Sequence, residues 1–149
     1  VPAEHGSWGF LAEPLVLGLV VAPSTDGAIV AAGCVLLFLA RQPLRLALGD
    51  VFRGRPYPRT AWAAGFAIGL GAAGVAAVAL AASGSLGSPW PALGLAALLF
   101  LPQLTLEARG RGRGLTPQLL GAAASGGLAT AVARCAGWPW APAAALWIV

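Results

Sequence analysis

The longest uninterrupted pattern in this chain is apolar: from Thr60 to Leu106, 47 positions, there is no charged residue. A helix needs about 20 mostly apolar residues to cross a hydrocarbon core of about 30 Å. The run therefore holds two spans, predicted at 61–82 and 90–106. Between them Ser83-Gly-Ser-Leu-Gly-Ser-Pro89 gathers turn-forming residues. Upstream, spans are predicted at 6–22 and 27–45, parted by Pro23-Ser-Thr-Asp-Gly27. Downstream, Thr116-Pro117 opens a fifth span over 116–133, since proline suits the first helical position. A sixth begins at Trp138, but the 12 residues to Val149 rise only about 18 Å, too short to cross. The expected fold is all-α: a polytopic transmembrane helical bundle of five spans plus part of a sixth. It forms one transmembrane domain over 1–149, read as the N-terminal fragment of a longer membrane protein.

Composition agrees with this pattern. Hydrophobic residues make up 58% of the chain and charged residues 9%, against about 25% charged in a soluble domain. So little charge leaves a water-soluble globule without a polar surface, and the high hydropathy excludes a disordered chain. The first segment lacks the basic stretch of a signal peptide, and Glu13-Pro14 interrupts its apolar run. Cys34 and Cys135 have neither metal-ligand nor disulfide-framework spacing and read as small packing residues.

Charge also orients the chain. All nine basic residues are arginines. Arg41, Arg45, Arg53, Arg55 and Arg59 fall between spans two and three, and Arg109, Arg111 and Arg113 between spans four and five. Basic loops stay in the cytoplasm, so the N-terminus is expected to be cytoplasmic, with Arg134 the lone exception. Trp8 and Trp62 then lie at inner ends and Trp90 and Trp138 at outer ends, as interfacial aromatics do.

This topology gathers the polar groups at the inner face: Glu4, His5, Arg41, Arg45, Asp50, Arg53, Arg55, Tyr57, Arg59, Glu107, Arg109 and Arg111. Glu13 lies about 10 Å along the first span, where an ionisable group usually faces the bundle or a wet cavity and finds a partner. Pro14 frees a backbone carbonyl near Phe10 beside it. Glu13 therefore reads either as a ligand- or proton-handling group or as a structural partner for an arginine such as Arg41. His5 has a pKa suited to acid–base work or metal ligation, although a lone interfacial histidine is also commonly just solvated. Arg53-Gly-Arg-Pro-Tyr-Pro-Arg59 can hold phosphate through guanidinium forks or simply serve orientation and anionic headgroups.

The candidate ligand-binding set is Glu4, His5, Glu13, Arg41, Arg45, Arg59 and Glu107. No metal site, cofactor or nucleic-acid contact is expected: the loops are short, with almost no aromatic interleaving. The chain has no GxxxxGK[ST], HExxH or CxxC motif and no DxxxD pair of the magnesium–diphosphate type. Gly65, Gly69, Ala73, Ala77 and Ala81 form a small-residue ridge on the third span. Such ridges let helices approach closely in lipid. Packing inside the bundle is the expected use, and self-association through Gly65 and Gly69 the alternative.

Three ordered blocks carry a resemblance. Pro2-Ala-Glu-His-Gly-Ser-Trp-Gly-Phe-Leu-Ala-Glu-Pro14 leads into the first span. Arg41-Gln-Pro-Leu44 through Asp50 continues to Arg53-Gly-Arg-Pro-Tyr-Pro-Arg-Thr60. Leu101-Pro-Gln-Leu104 continues to Glu107-Ala-Arg-Gly-Arg111. Together they resemble the YwiC-like family of bacterial membrane proteins, with Glu4-His-Gly6 and Trp8 the specific part. The resemblance implies an inner-membrane location and further spans beyond Val149, and it brings no activity with it. Three functional classes remain open. One is binding or transport of a small anionic or amphipathic ligand in an inward-facing cavity. Another is a lipid- or isoprenoid-modifying enzyme, loosely like prenyltransferases but lacking their aspartate motifs. The third is an accessory subunit of a membrane complex.

Overall fold

The computed structural model describes residues 5–55, 57–112 and 114–148, with side chains described from Trp8 onward. Within these residues the chain is all-helical, without strands. The elements are α1 (His5–Val21), α2 (Thr25–Phe52), α3 (Pro58–Gly84), α4 (Trp90–Ala108), α5 (Leu115–Cys135) and a short α6 (Trp140–Ala145). Glu4 and Arg113 lie outside the described residues.

Local chemistry sets the ends. Ser24 caps α2, its hydroxyl accepting from the Gly27 amide at 3.0 Å. Pro58 begins α3, and the Thr60 hydroxyl accepts from the Tyr57 amide at 2.9 Å. α2 and α4 stop alike, on Gly54 and Gly110 with φ of 63° and 78°. In each case the glycine amide bonds three residues back and the next amide five residues back: Gly54 to Val51 and Arg55 to Asp50, then Gly110 to Glu107 and Arg111 to Leu106. This left-handed termination favours glycine because a Cβ is strained there. The two Arg-Gly-Arg tracts are thus helix stops as well as charge clusters.

α2, α3 and α4 are long and apolar enough to cross a membrane. The five expected spans are not all of this kind. α1 has 17 residues, and α5, with 21, is rich in Gly, Ala, Ser and Thr. α5 is also the most enclosed helix, with Ala129, Thr130, Ala131, Val132 and Ala133 buried in succession. A helix wrapped by its neighbours gains little from lipophilic side chains and more from small ones that admit close packing. α2 runs to Phe52, about two turns past its expected end at Arg45, and carries Pro43 inside. Asp50 is therefore helical rather than in the loop after the span, on the same helix as Arg41 and Arg45. Beyond Pro139 a helix forms only over Trp140–Ala145. Trp147 then lies against α5, its indole N–H donating to the Ala123 carbonyl at 2.7 Å.

Consecutive long helices alternate in direction, which brings the C-terminal ends of α2 and α4 together with the start of α3. The core joins Leu11 and Leu15 of α1 to Val30 and Cys34 of α2 and to Ala131 and Val132 of α5. α3 packs chiefly on α2. Their crossing is at Gly33 and Gly74, each so close that a Cβ would stand 2.9 Å and 2.8 Å from the other's carbonyl oxygen. The small-residue ridge divides accordingly. Ala77 and Ala81 face α2, whereas Gly65 and Gly69 point away, with nothing within 4 Å of an added Cβ.

At the opposite end the α3–α4 turn closes on α5. A Cβ on Gly87 would collide with the Arg134 carbonyl oxygen. Gly87→Ala is expected to lower stability by about 1–3 kcal/mol, as overpacking does. Gly94→Ala, in open space on α4, should be neutral or better. Thermal unfolding in detergent tests the contrast, and equal midpoints would show that the turn yields.

Candidate functional site

The C-terminal ends of α2 and α4 and the start of α3 hold two charged clusters that share one cleft. In the deeper one, the Arg41 guanidinium makes a two-pronged pair with Glu107. Its Nε donates to Oε2 at 3.2 Å, and an Nη donates to Oε1. The side chains are only 18% and 8% exposed. Gln103, one turn before Glu107, donates its amide to the same carboxylate at 2.9 Å. Gly121 of α5 makes room for it, because a Cβ there would be 2.9 Å from the Gln103 nitrogen. The guanidinium also lies 5.8 Å from the ring centres of both Phe38 and Phe100. Glu107 therefore accepts three hydrogen bonds, and Arg41 is held between aromatic walls.

The shallower cluster centres on Asp50, a buried carboxylate in the last turn of α2. It accepts from the Thr60 hydroxyl at 2.8 Å and from Arg59 at 3.3 and 3.4 Å. The Thr60 hydroxyl accepts from the Tyr57 amide and donates to Asp50, so one side chain both starts α3 and ties it to α2. Arg59 also lies over the Tyr57 ring at 4.8 Å, and Arg109 over Phe52 at 5.2 Å.

Arg45, Gly49, Asp50, Arg53, Arg59 and Glu107 line an open cleft of about 200 Å³ between the clusters. Its lining is rich in guanidinium: Arg45, Arg53 and Arg59 stand around Asp50 and Glu107, with Asp50 paired to Arg59 and Glu107 to Arg41. Guanidinium is well matched to carboxylate and phosphate oxyanions.

The expected site residues separate into those that meet and those that do not. Arg41, Arg45, Arg59 and Glu107 come together here. Glu13 does not: it is exposed on the outward face of α1, its carboxylate lying back over Gly9, so Arg41 is the partner of Glu107 and not of Glu13. His5 opens α1, but its side chain lies outside the described residues, as does Glu4 entirely. Gln103, Asp50, Arg53 and Thr60 were absent from the expected set. A sequence signal existed for two of them: Gln103 precedes Glu107 by four, and Thr60 stands at the third helical position after Pro58. Among the described residues, no three of His, Cys, Asp and Glu gather as metal ligands would.

A family model described as YwiC-like protein matches residues 1–134, and the chain belongs to that family. No curated protein and no solved structure matches it. Family membership and the long apolar helices together support a membrane protein with transmembrane helices.

Proposed function

We propose that this chain is a multi-pass protein of the bacterial inner membrane, crossing five times or more with its N-terminus in the cytoplasm. There it binds or transports a small anionic or amphipathic ligand through the cleft between α2, α3 and α4. The bias of eight arginines to one end supports the orientation. The observation that carries the binding reading is the open cleft where the Arg53 and Arg59 guanidiniums stand beside carboxylates that already accept from Arg59, Thr60, Arg41 and Gln103. Because Asp50 and Glu107 act as acceptors for arginines, their role is to hold cations in place, which favours binding over acid–base turnover.

Native mass spectrometry of the full-length protein, released gently from its own membranes, tests this. A reproducible bound mass is expected, and Arg53→Ala with Arg45→Ala should reduce its occupancy at least tenfold. A bare wild-type protein, or a bound mass indifferent to both substitutions, would overturn the reading. A second polypeptide in place of a small mass would favour an accessory subunit.

A further inference from the structure

Every residue that α2 and α4 bring to the cleft lies past a proline. From Arg45 to Arg53 the lining of α2 follows Pro43, and on α4 Glu107 and Ala108 follow Pro102. α3 and α5, by contrast, carry proline only in the first turn, at Pro58 and Pro117. The two interior prolines also stand at one depth. Gly49 and Ala108 are each six residues further along, and their backbones touch: a Cβ on Gly49 would lie 3.5 Å from the Ala108 carbonyl oxygen. Because α2 and α4 run in the same direction, equal spacing from a shared contact puts Pro43 and Pro102 level, about 9 Å back along each helix. An interior proline deletes one backbone hydrogen bond and crowds the carbonyl four residues earlier, here that of Leu39 or Leu98, and helices bend at such points. Thr105 loosens α4 further, its hydroxyl donating to the Pro102 carbonyl at 2.8 Å.

We infer that the segments of α2 and α4 beyond Pro43 and Pro102 are the two arms of a hinged gate, which part at the Gly49–Ala108 contact to open the cleft. For what the gate admits this rests on the binding reading above; the movement itself does not. Asp50 holds the α2 arm to the start of α3 through Thr60 and Arg59, so these move as one body. The α4 arm meets that body at Gly49, which has no side chain to interlock. Two side-chain contacts latch it there: Arg41 with Glu107, and Arg109 over the Phe52 ring at 5.2 Å. Arg41 precedes Pro43 and Glu107 follows Pro102, so the ion pair ties the moving arm of α4 to the stationary part of α2. Gln103, the first residue past Pro102, gives the closed arrangement a competitor. Its side-chain oxygen is buried without a hydrogen-bond partner among the described residues. An unpaired buried acceptor is costly, and a swing of the α4 arm that admits water relieves it.

The test is a spin-label distance measurement on the full-length protein in lipid nanodiscs, with Cys34→Ala and Cys135→Ala as background. Val51→Cys with Arg111→Cys labels exposed positions on the two arms, and Leu39→Cys with Leu98→Cys labels the same helices before their prolines. Two separated distances are expected for the arm pair and one for the reference pair. Pro43→Ala with Pro102→Ala should lower the longer-distance population at least threefold. Gly121→Ala should raise it at least twofold, because its Cβ would press on the Gln103 amide nitrogen from 2.9 Å and push the α4 arm away. Should either variant impair folding, the other decides. Inorganic phosphate, as the probe anion, should shift the wild type toward the shorter distance. An arm pair with one distance as narrow as the reference, or two populations that neither variant changes, would overturn the gate. Phosphate binding to a chain with that single distance would leave the binding reading standing without the gate. Populations that respond to both variants and not to phosphate would keep the gate and count against an anion in the cleft.

Discussion

Gly74→Ala is expected to loosen the α2–α3 pair, whereas Gly69→Ala, five residues earlier on the same helix, should leave it intact or strengthen it. The two changes are chemically identical, so the difference isolates packing. At Gly74 a Cβ would come within 2.8 Å of both the Gly33 carbonyl oxygen and Leu37 Cγ. A leucine side chain can rotate, but a backbone oxygen cannot, so the helices must part. The reciprocal contact makes Gly33→Ala equivalent, with its Cβ at 2.9 Å from the Gly74 oxygen. Overpacking of this kind costs about 1–3 kcal/mol, set against a gain of up to about 1 kcal/mol from replacing glycine in a helix. At Gly69 only the gain applies. Helix contacts in lipid depend on close packing because tails are as apolar as the side chains they replace, so loss of the crossing has no solvent effect to soften it. Unfolding of the purified protein by increasing denaturing detergent would measure the separation. Gly33→Leu and Gly74→Leu should fail to fold. Equal unfolding midpoints for Gly69→Ala and Gly74→Ala would mean that the crossing is not where α2 and α3 are held.

That contrast marks how much of the fold could be read from the chain. The charge-free run from Thr60 to Leu106, broken once at Ser83–Pro89, leads directly to α3, its turn and α4. Hydrophobicity reports crossing length well, because lipid demands an apolar side chain at nearly every exposed position. For the same reason it reports facing poorly. In water a helix is marked by one apolar stripe, but α1 and α3 are apolar all round, so nothing in their composition says which side meets α2. Hence the small-residue ridge packs inward over only part of its length. Ala77 and Ala81 pack inward and Gly65 and Gly69 turn out, while the closest approach is made by Gly74, off the ridge. Glu13 suffers from the same ambiguity. Its position along α1 was legible and its direction was not.

The site divides along similar lines. The gathering of arginines at one end follows from topology alone, and Arg41, Arg45, Arg59 and Glu107 were legible as a group. The pairing within the group was not, since Arg41 and Glu107 are 66 residues apart and several arginines could serve any one carboxylate. The extension of α2 past Pro43 decides it. Helical continuation through Phe52 places Asp50 opposite the first turn of α3 and leaves Arg41 beside the end of α4. A proline does not stop a helix whose neighbours can satisfy the freed carbonyl.

The Arg41–Glu107 pair should prove the most costly charged contact to break by halves. Arg41→Leu leaves a carboxylate that is 8% exposed with Gln103 as its one remaining donor. Glu107→Leu leaves a guanidinium between Phe38 and Phe100 and orphans the Gln103 amide. Removing one partner of a buried ion pair typically costs about 3–5 kcal/mol, mostly because the survivor is desolvated without compensation. Arg41→Leu with Glu107→Leu removes that penalty and should recover most of the loss, short by the cost of the orphaned amide, about 1–3 kcal/mol. Adding Gln103→Leu should return stability close to wild type. Detergent unfolding of the singles, the double and the triple would give the cycle directly. Singles within about 1 kcal/mol of wild type, the range of exposed pairs, would place the pair in contact with water and remove it as the floor of the cleft. The triple variant also carries a functional consequence. It keeps Arg53 and Arg59 but no longer fixes the wall on α4, so a ligand held by the cleft arginines should remain bound with altered affinity. One that required the Arg41–Glu107 pair itself should be lost altogether.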